Sequence, residues 1–446
     1  MTGWRSRTTF VLALSASAVG LGNLWRFSYL AGEHGGAPFV IAYVVCLFLV
    51  AVPLMVAEVA IGSHGRGGPV AALRWASDRS LLSRGWMVAG WLACLTGVLI
   101  MAYYIVVAGW SLAYARYMQS GAFAAASAAL VGENFSELLA QPLRQIYWQS
   151  LFLLLAATVV LFGVRRGLGL MVWLAVPCLI TILAVLVKFS LDNGDLEAAR
   201  EFLFGVKWID FSPQAVLVAL GHALFTLGVG VGTGISYGAY TPQRIPIGRS
   251  VLAVAVFDTM IALLAGLAIF PLVFANNMEP AMGPGLLFVS VPYAFGNLGQ
   301  GELFGALFFL LVVIAALGSA VAMMEPAVRT LMQQARLRRI TAVLVVSAVI
   351  WLLGAAVVLS LSPTVGGVWF GNSNLFTFLD AFTADFLLPL VSLLTAVLVG
   401  WRLRPEILRV ELRRESDVFF SLWRLLLRYI APPAIVLIML AALFRP

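Results

Sequence analysis

Charge is scarce in this chain. Only 11% of its 446 residues are Asp, Glu, Lys or Arg, against 62% hydrophobic residues, and the mean hydropathy is +0.99. A water-soluble domain needs more charged surface than that, so the balance excludes a soluble globular protein and implies a polytopic membrane protein. Cysteine is nearly absent. Cys46, Cys94 and Cys178 each fall inside an apolar run, share no metal-ligand spacing, and read as small buried hydrophobes. No nucleophile stands beside a base and no metal-ligand cluster appears, which argues against an enzyme. The net charge of +8 suggests nucleic acid at first sight, but the basic residues are scattered through short loops and read as topology, so no nucleic-acid partner is expected. The polar N-terminus lacks a small-residue cleavage site, so no removable signal peptide is expected.

What the chain does have is apolar runs of bilayer-crossing length, about eleven of them. They centre near Ala18, Val45, Tyr103, Leu154, Ile180, Thr226, Ala262, Val312, Val349, Pro389 and Val436. Met118 to Leu143 and Asp192 to Asp210 read as short helices on one face of the membrane. Arg402 to Arg428 reads as an amphipathic linker before the last span. Arginines such as Arg5, Arg7, Arg66, Arg79, Arg165, Arg166, Arg338 and Arg404 fall on one side, with few opposite them, among them Arg116, Arg144 and Arg200. Such asymmetry puts the N-terminus in the cytoplasm, and an odd number of spans then puts the C-terminus outside.

Two spans are interrupted by glycine. The first contains Val19-Gly20-Leu21-Gly22-Asn23 and the sixth contains Gly228-Val229-Gly230-Val231-Gly232-Thr233-Gly234. In lipid every backbone N–H and C=O must find a partner, and clustered glycine invites unwinding. Unwound backbone at that depth survives where it lines a polar cavity, so a matched pair of breaks points to a central binding site of a secondary transporter. Five spans per half force the two halves to cross in opposite senses. The expected fold is an all-α membrane protein with a 5+5 inverted repeat: one transmembrane domain over 1–446, with repeat one at about 8–190, repeat two at about 213–401 and a final helix at about 428–444.

Ser17-Ala18-Val19-Gly20-Leu21-Gly22-Asn23-Leu24-Trp25-Arg26-Phe27 carries a resemblance, joined by Gly35-Gly36-Ala37-Pro38-Phe39, Pro53 to Glu58, Tyr103-Tyr104 with Trp110, Phe225-Thr226-Leu227, and Asp258-Thr259. These residues resemble the neurotransmitter:sodium symporters, in their bacterial amino-acid-transporting branch. The resemblance implies a leucine-transporter-type fold and sodium-coupled, chloride-independent uptake of a hydrophobic or aromatic L-amino acid through the cell's inner (plasma) membrane. It implies one sodium site from the Ala18 carbonyl, Asn23, Thr226 and Asp258. A second would use the Ala16, Val19 and Ala315 carbonyls with Ser319, although the usual further oxygen of span eight is replaced by Gly318. The implied substrate pocket comprises Ala18, Gly22, Ile100, Tyr104, Phe225, Thr226, Gly228, Val231, Ser319 and Met323. Tyr104 is the expected donor to a substrate carboxylate and Phe225 the expected lid.

Asp258 is a carboxylate inside an apolar span and is a functional candidate on that ground alone; the resemblance makes it a stand-in for chloride. Arg26 needs an acidic partner for the outer gate, either Asp380 or Asp385. On the inner side Trp4 matches the family, while the expected basic residue is Met1 and its acidic partner is Gln333, leaving Arg5-Ser6-Arg7 as a candidate substitute. Gly167 and Pro177 in span five resemble a motif that lets the helix unwind, with a plain kink as the alternative. His222 is either a hydrogen-bonding substitute for glutamine or a titrating group; His34 and His64 read as loop residues. Proton coupling or exchange, and a non-transporting amino-acid sensor, stand as alternative functions.

Overall fold

The computed structural model describes residues 3–206, 212–242, 245–278, 285–363 and 373–443. Met1 therefore lies outside the described residues. Among those described, nine helices are long and apolar enough to cross a membrane: Ala37–Gly65, Arg84–Gln119, Pro142–Leu161, Val164–Asn193, Ile247–Ala275, Gly301–Gln334, Arg339–Leu361, Leu375–Arg402 and Asp417–Leu443. They are spans two to five and seven to eleven. Span one is the pair Arg7–Ala18 and Gly22–Glu33, bent by 48° at the break. Span six is the pair Pro213–Thr226 and Thr233–Gly238.

Local chemistry sets these ends. Ser6 and Ser212 cap the helices opening the two halves, each hydroxyl accepting a backbone N–H three residues on. At the first break Val19 is extended, and the chain resumes as a π-turn over Gly22–Arg26. At the second break Gly228, Gly230 and Gly232 have φ of 65°, 86° and 75°. That left-handed conformation costs any residue with a Cβ roughly 1–2 kcal/mol, so the alternation of glycine there is a backbone requirement.

Spans three and eight form the centre: 78% of each apolar window is buried within the protein, against 28% for span five and 22% for span eleven. The outer spans instead present large apolar side chains such as Leu154, Leu174, Leu344, Leu352 and Leu437 outward. An apolar belt of that extent requires lipid rather than water around it. Cys46 and Cys94 are buried as expected, but Cys178 belongs to this outer surface, which corrects the expectation for that residue. The short helices Ala128–Ala140 and Leu196–Phe204 occupy the two mixed segments.

Two other expectations change. The last helix starts at Asp417 rather than near residue 428, because the Ser416 hydroxyl caps it by accepting from the Phe419 N–H. Within it, Trp423 reaches inward to donate to the Pro53 carbonyl at 2.9 Å, and Arg428 donates to the Gly400 carbonyl, which lets a guanidinium sit in a spanning helix. His64 is not in a loop. It closes span two, and its Nδ1 lies 2.7 Å from Glu411 Oε1, while Ser63 donates to Glu411 Oε2 at 2.7 Å. The helix Pro405–Glu411 is thereby fastened to span two.

Burial alone would raise the Glu411 carboxyl, but the hydrogen bonds from His64 and Ser63 outweigh it and hold the group below its ordinary value of 4.5. A depressed carboxyl stabilises the fold above that value and loses its contribution as pH falls through the lowered one. Replacing Glu411 by Gln is expected to reduce stability by about 2 kcal/mol near neutrality, and to flatten the acid limb of a thermal-melting pH series in detergent.

Candidate functional site

The two breaks meet at one carboxylate. Asp258 of span seven is fully buried. Its Oδ1 accepts from Asn23 Nδ2 at 2.8 Å and from Thr226 Oγ1 at 3.2 Å, and its Oδ2 accepts from the Tyr43 hydroxyl at 2.9 Å. Asn23 also donates to the Asp258 backbone carbonyl at 3.2 Å and accepts the Gly20 N–H at 3.1 Å, so this one amide closes the turn of the first break. An acid at the centre of a span costs about 3 kcal/mol. Hydrogen bonds to a charged group return about 1.5–3 kcal/mol each, so three donors are enough to keep it there. Ala18 ends the first half-helix and borders the same cavity as Thr226. The carbonyl, amide, hydroxyl and carboxylate oxygens are hard donors of the kind a bare alkali cation takes.

The ten residues expected to line a substrate pocket, Ala18, Gly22, Ile100, Tyr104, Phe225, Thr226, Gly228, Val231, Ser319 and Met323, all border one cavity, together with Ser17, Gly20, Thr233, Ala322 and Leu388. In this closed form it measures about 30 Å³. The Tyr104 hydroxyl accepts the Leu21 N–H at 3.3 Å and is hydrogen-bonded to the Ser319 side chain beside the cavity. Gly20 allows this: a Cβ there would stand 2.2 Å from Ser319 Oγ and 2.9 Å from the Tyr104 hydroxyl. Gly228 differs. A Cβ at that position meets nothing closer than Val231 Cγ2 at 3.6 Å, so the pocket is open beside it and only its left-handed φ excludes a side chain.

Glu58 of span two braces the second break, accepting the Gly230 N–H at 2.8 Å. Among the residues of the expected second sodium site, Ala16, Val19 and Ala315 border a smaller hollow that Ser319 does not line.

Both faces are shut. On one, Arg26 donates to Asp380 at 2.8 Å and lies 4.7 Å above the Phe225 ring, a cation–π contact that ties the ion pair to the expected lid residue. Asp385 follows five residues on in the π-turn Phe382–Leu387. On the other face, Trp4 Nε1 donates to the Tyr237 carbonyl at 3.0 Å, its N–H donates to the Tyr240 carbonyl at 2.9 Å, and its ring meets Tyr237 edge-on. Arg7 donates to Ser250 and Gln333 accepts the Gly68 N–H, so neither makes the ion pair missing from the sequence. That pair lies elsewhere. Glu325 of span eight, fully buried, bonds Arg339 at 2.5 Å and the Tyr240 hydroxyl at 2.8 Å, and Arg329 stacks 3.9 Å over Tyr240.

Residues 2–127 and 139–445 match the model of the sodium:neurotransmitter symporter family. The chain belongs to that family. It is 33% identical over 98% of its length to the uncharacterized sodium-dependent transporter YhdH of Bacillus subtilis, covering 96% of that relative, and 28% identical to the uncharacterized sodium-dependent transporter MJ1319 of Methanocaldococcus jannaschii, over 97% of this chain and 88% of that one. The crystal structure of MhsT in complex with L-phenylalanine superposes with a TM-score of 0.92 at 34% identity, over 99% of this chain and all of that one. The leucine-transporter-type inverted repeat follows, and the symporter is a sodium-dependent membrane transporter, not an enzyme.

Sequence reasoning about this symporter passed over Tyr43, Glu325 and Arg339. An acid inside an apolar span was the available signal for Glu325, as it was for Asp258. His222 is enclosed by the rings of Phe27, Phe39 and Tyr43, and neither ring nitrogen has a hydrogen-bond partner among the described residues. Exchanging Glu325 for Gln is expected to free Arg339 and loosen the Trp4 face. Thiol labelling of a cysteine placed at Thr233 should then speed several-fold from that face alone; equal labelling from both faces would contradict the gate.

Proposed function

We propose that this symporter takes up a hydrophobic or aromatic L-amino acid together with sodium, without chloride, by alternating access across the plasma membrane. The N-terminus then lies in the cytoplasm and the C-terminus outside, which makes Arg26–Asp380 the extracellular gate and Trp4 part of the cytoplasmic one.

The observation that carries this reading is the Asp258 carboxylate, held by Asn23 of the first break and Thr226 of the second. A cation bound there by the Ala18 carbonyl, Asn23, Thr226 and Asp258 joins the two broken spans in one coordination shell. The built-in negative charge does the electrostatic work of a chloride ion. Next to it, the Tyr104 hydroxyl can turn from Ser319 to an amino-acid carboxylate, and the walls formed by Ile100, Val231, Met323 and Leu388 are apolar, which suits an apolar side chain and excludes a charged one. The phenylalanine held by MhsT supports the aromatic end of that range. With about 30 Å³ available, no amino acid enters the closed form, so Phe225 and its neighbours must swing aside and then return. Sodium and substrate favour a form occluded around them by binding it more tightly than the open ones.

The test is uptake of labelled phenylalanine, tryptophan and leucine into proteoliposomes under an imposed sodium or proton gradient. Sodium alone is expected to drive accumulation, and replacing chloride by gluconate to leave it unchanged. Accumulation that follows protons and ignores sodium would overturn the coupling. Asp258→Asn is expected to abolish uptake or make it chloride-sensitive.

Gly22 supplies a size test. A methyl there meets the Phe225 ring at 3.4 Å, ordinary contact, and narrows the cavity. Gly22→Ala should reduce tryptophan uptake more than leucine uptake, by roughly tenfold if about 1.4 kcal/mol of packing is lost. Equal losses would count against an aromatic substrate.

A further inference from the structure

The hollow where family resemblance places a second sodium lies between spans one, five, seven and eight, and its residues do not fit a cation. The first reason is distance. A Cβ on Gly318 would stand 2.2 Å from the Ala16 carbonyl oxygen and 3.3 Å from the Ala16 Cβ. Two helices that share a cation are held apart by it, with oxygens on either side. Here span eight rests directly on span one, in the space a ligating side chain at position 318 would need.

The second reason is the direction of the remaining hydroxyl. Ser319 Oγ donates to the Ser17 carbonyl at 3.0 Å and lies 3.4 Å from the Val19 carbonyl. It therefore presents its proton to the carbonyls of span one, Val19 among them, and it lines the substrate cavity instead of this hollow. The third reason is chemistry. Val176, Leu179, Phe257 and Ile314 wall the hollow with hydrocarbon. Ser15 contributes a hydroxyl residue to the lining. Moving an ion out of water into such surroundings is strongly unfavourable without several oxygens to replace its hydration.

We propose that direct contact between Gly318 and Ala16 takes the place of the second cation, so that one sodium ion moves with each amino acid. The inference rests on the sodium-coupled reading above. It changes what opens the inner side: span one is held against span eight by close packing, and its release depends on the Trp4 and Glu325 contacts instead of on the escape of an ion.

The number of ions is read from the accumulation ratio at equilibrium in proteoliposomes at zero membrane voltage, as the sodium gradient is varied. One ion gives about tenfold accumulation of labelled phenylalanine per tenfold sodium gradient, and two give about a hundredfold. Proportional accumulation, with one radioactive sodium bound per purified chain, is the expected result. A squared dependence, or two ions bound, overturns the single-ion inference and leaves sodium coupling intact. Accumulation indifferent to sodium overturns the coupling itself. In Ser15→Ala the proportional dependence is expected to persist, and loss of sodium binding in that variant would place a ligand in the hollow and sink the proposal. Gly318→Ser is expected to bind no second sodium; an active Gly318→Ser that gained one would show that the helices are free to part, against the steric argument.

Discussion

The structure depends on backbone polar groups left open in the middle of a bilayer. Two spans give up their helical hydrogen bonds at Val19–Leu21 and Leu227–Gly232, and everything around them answers that loss. Asn23 closes the first turn, Glu58 takes an N–H of the second, and Asp258 binds the two breaks to span seven through side chains from each. Water would satisfy the same atoms in a soluble protein at little cost. In lipid only other protein groups can, which forces acids and amides into spans that are otherwise hydrocarbon and sets them where an ion and a zwitterion can also be held.

The gates follow a related logic. A charged pair near the end of a bundle is stable when both partners are present and costly when one is removed. On the Arg26 face the pair is Arg26–Asp380, stacked on the lid residue Phe225. On the Trp4 face the positions that would supply the family's pair hold Met1 and Gln333, and the closing charge sits instead on Glu325 and Arg339, joined by Tyr240 to the same half-helix that Trp4 covers. The closed Trp4 face is thus a layer of aromatic packing over a buried ion pair.

Much of the central site was readable from residue types. Glycine at alternate positions within an apolar run has few uses other than unwinding, and an aspartate in such a run must have a reason to be there. Asp258 could therefore be singled out; the ten cavity residues were named through the family resemblance, and they border one cavity. Other features depended on geometry that spacing does not convey. Asp380 and Asp385 are equally plausible partners along the chain, and only the π-turn of span ten decides which meets Arg26. Tyr43 looks like an ordinary interfacial tyrosine until span two is laid against span seven. The early start of the last helix hides in a charged segment because Arg428 finds a carbonyl in a neighbouring span.

By itself the sequence determined that this is a membrane protein of about eleven spans with two broken helices and a carboxylate between them, because lipid tolerates so few ways of arranging polar atoms that composition and glycine placement leave little choice. Tertiary structure alone decided which acid meets which arginine, why Gly228 is a conformational and Gly20 a steric necessity, and how near Gly318 comes to Ala16. Those are matters of distances below an ångström or two between segments hundreds of residues apart, set by the packing of whole helices and invisible in any local pattern.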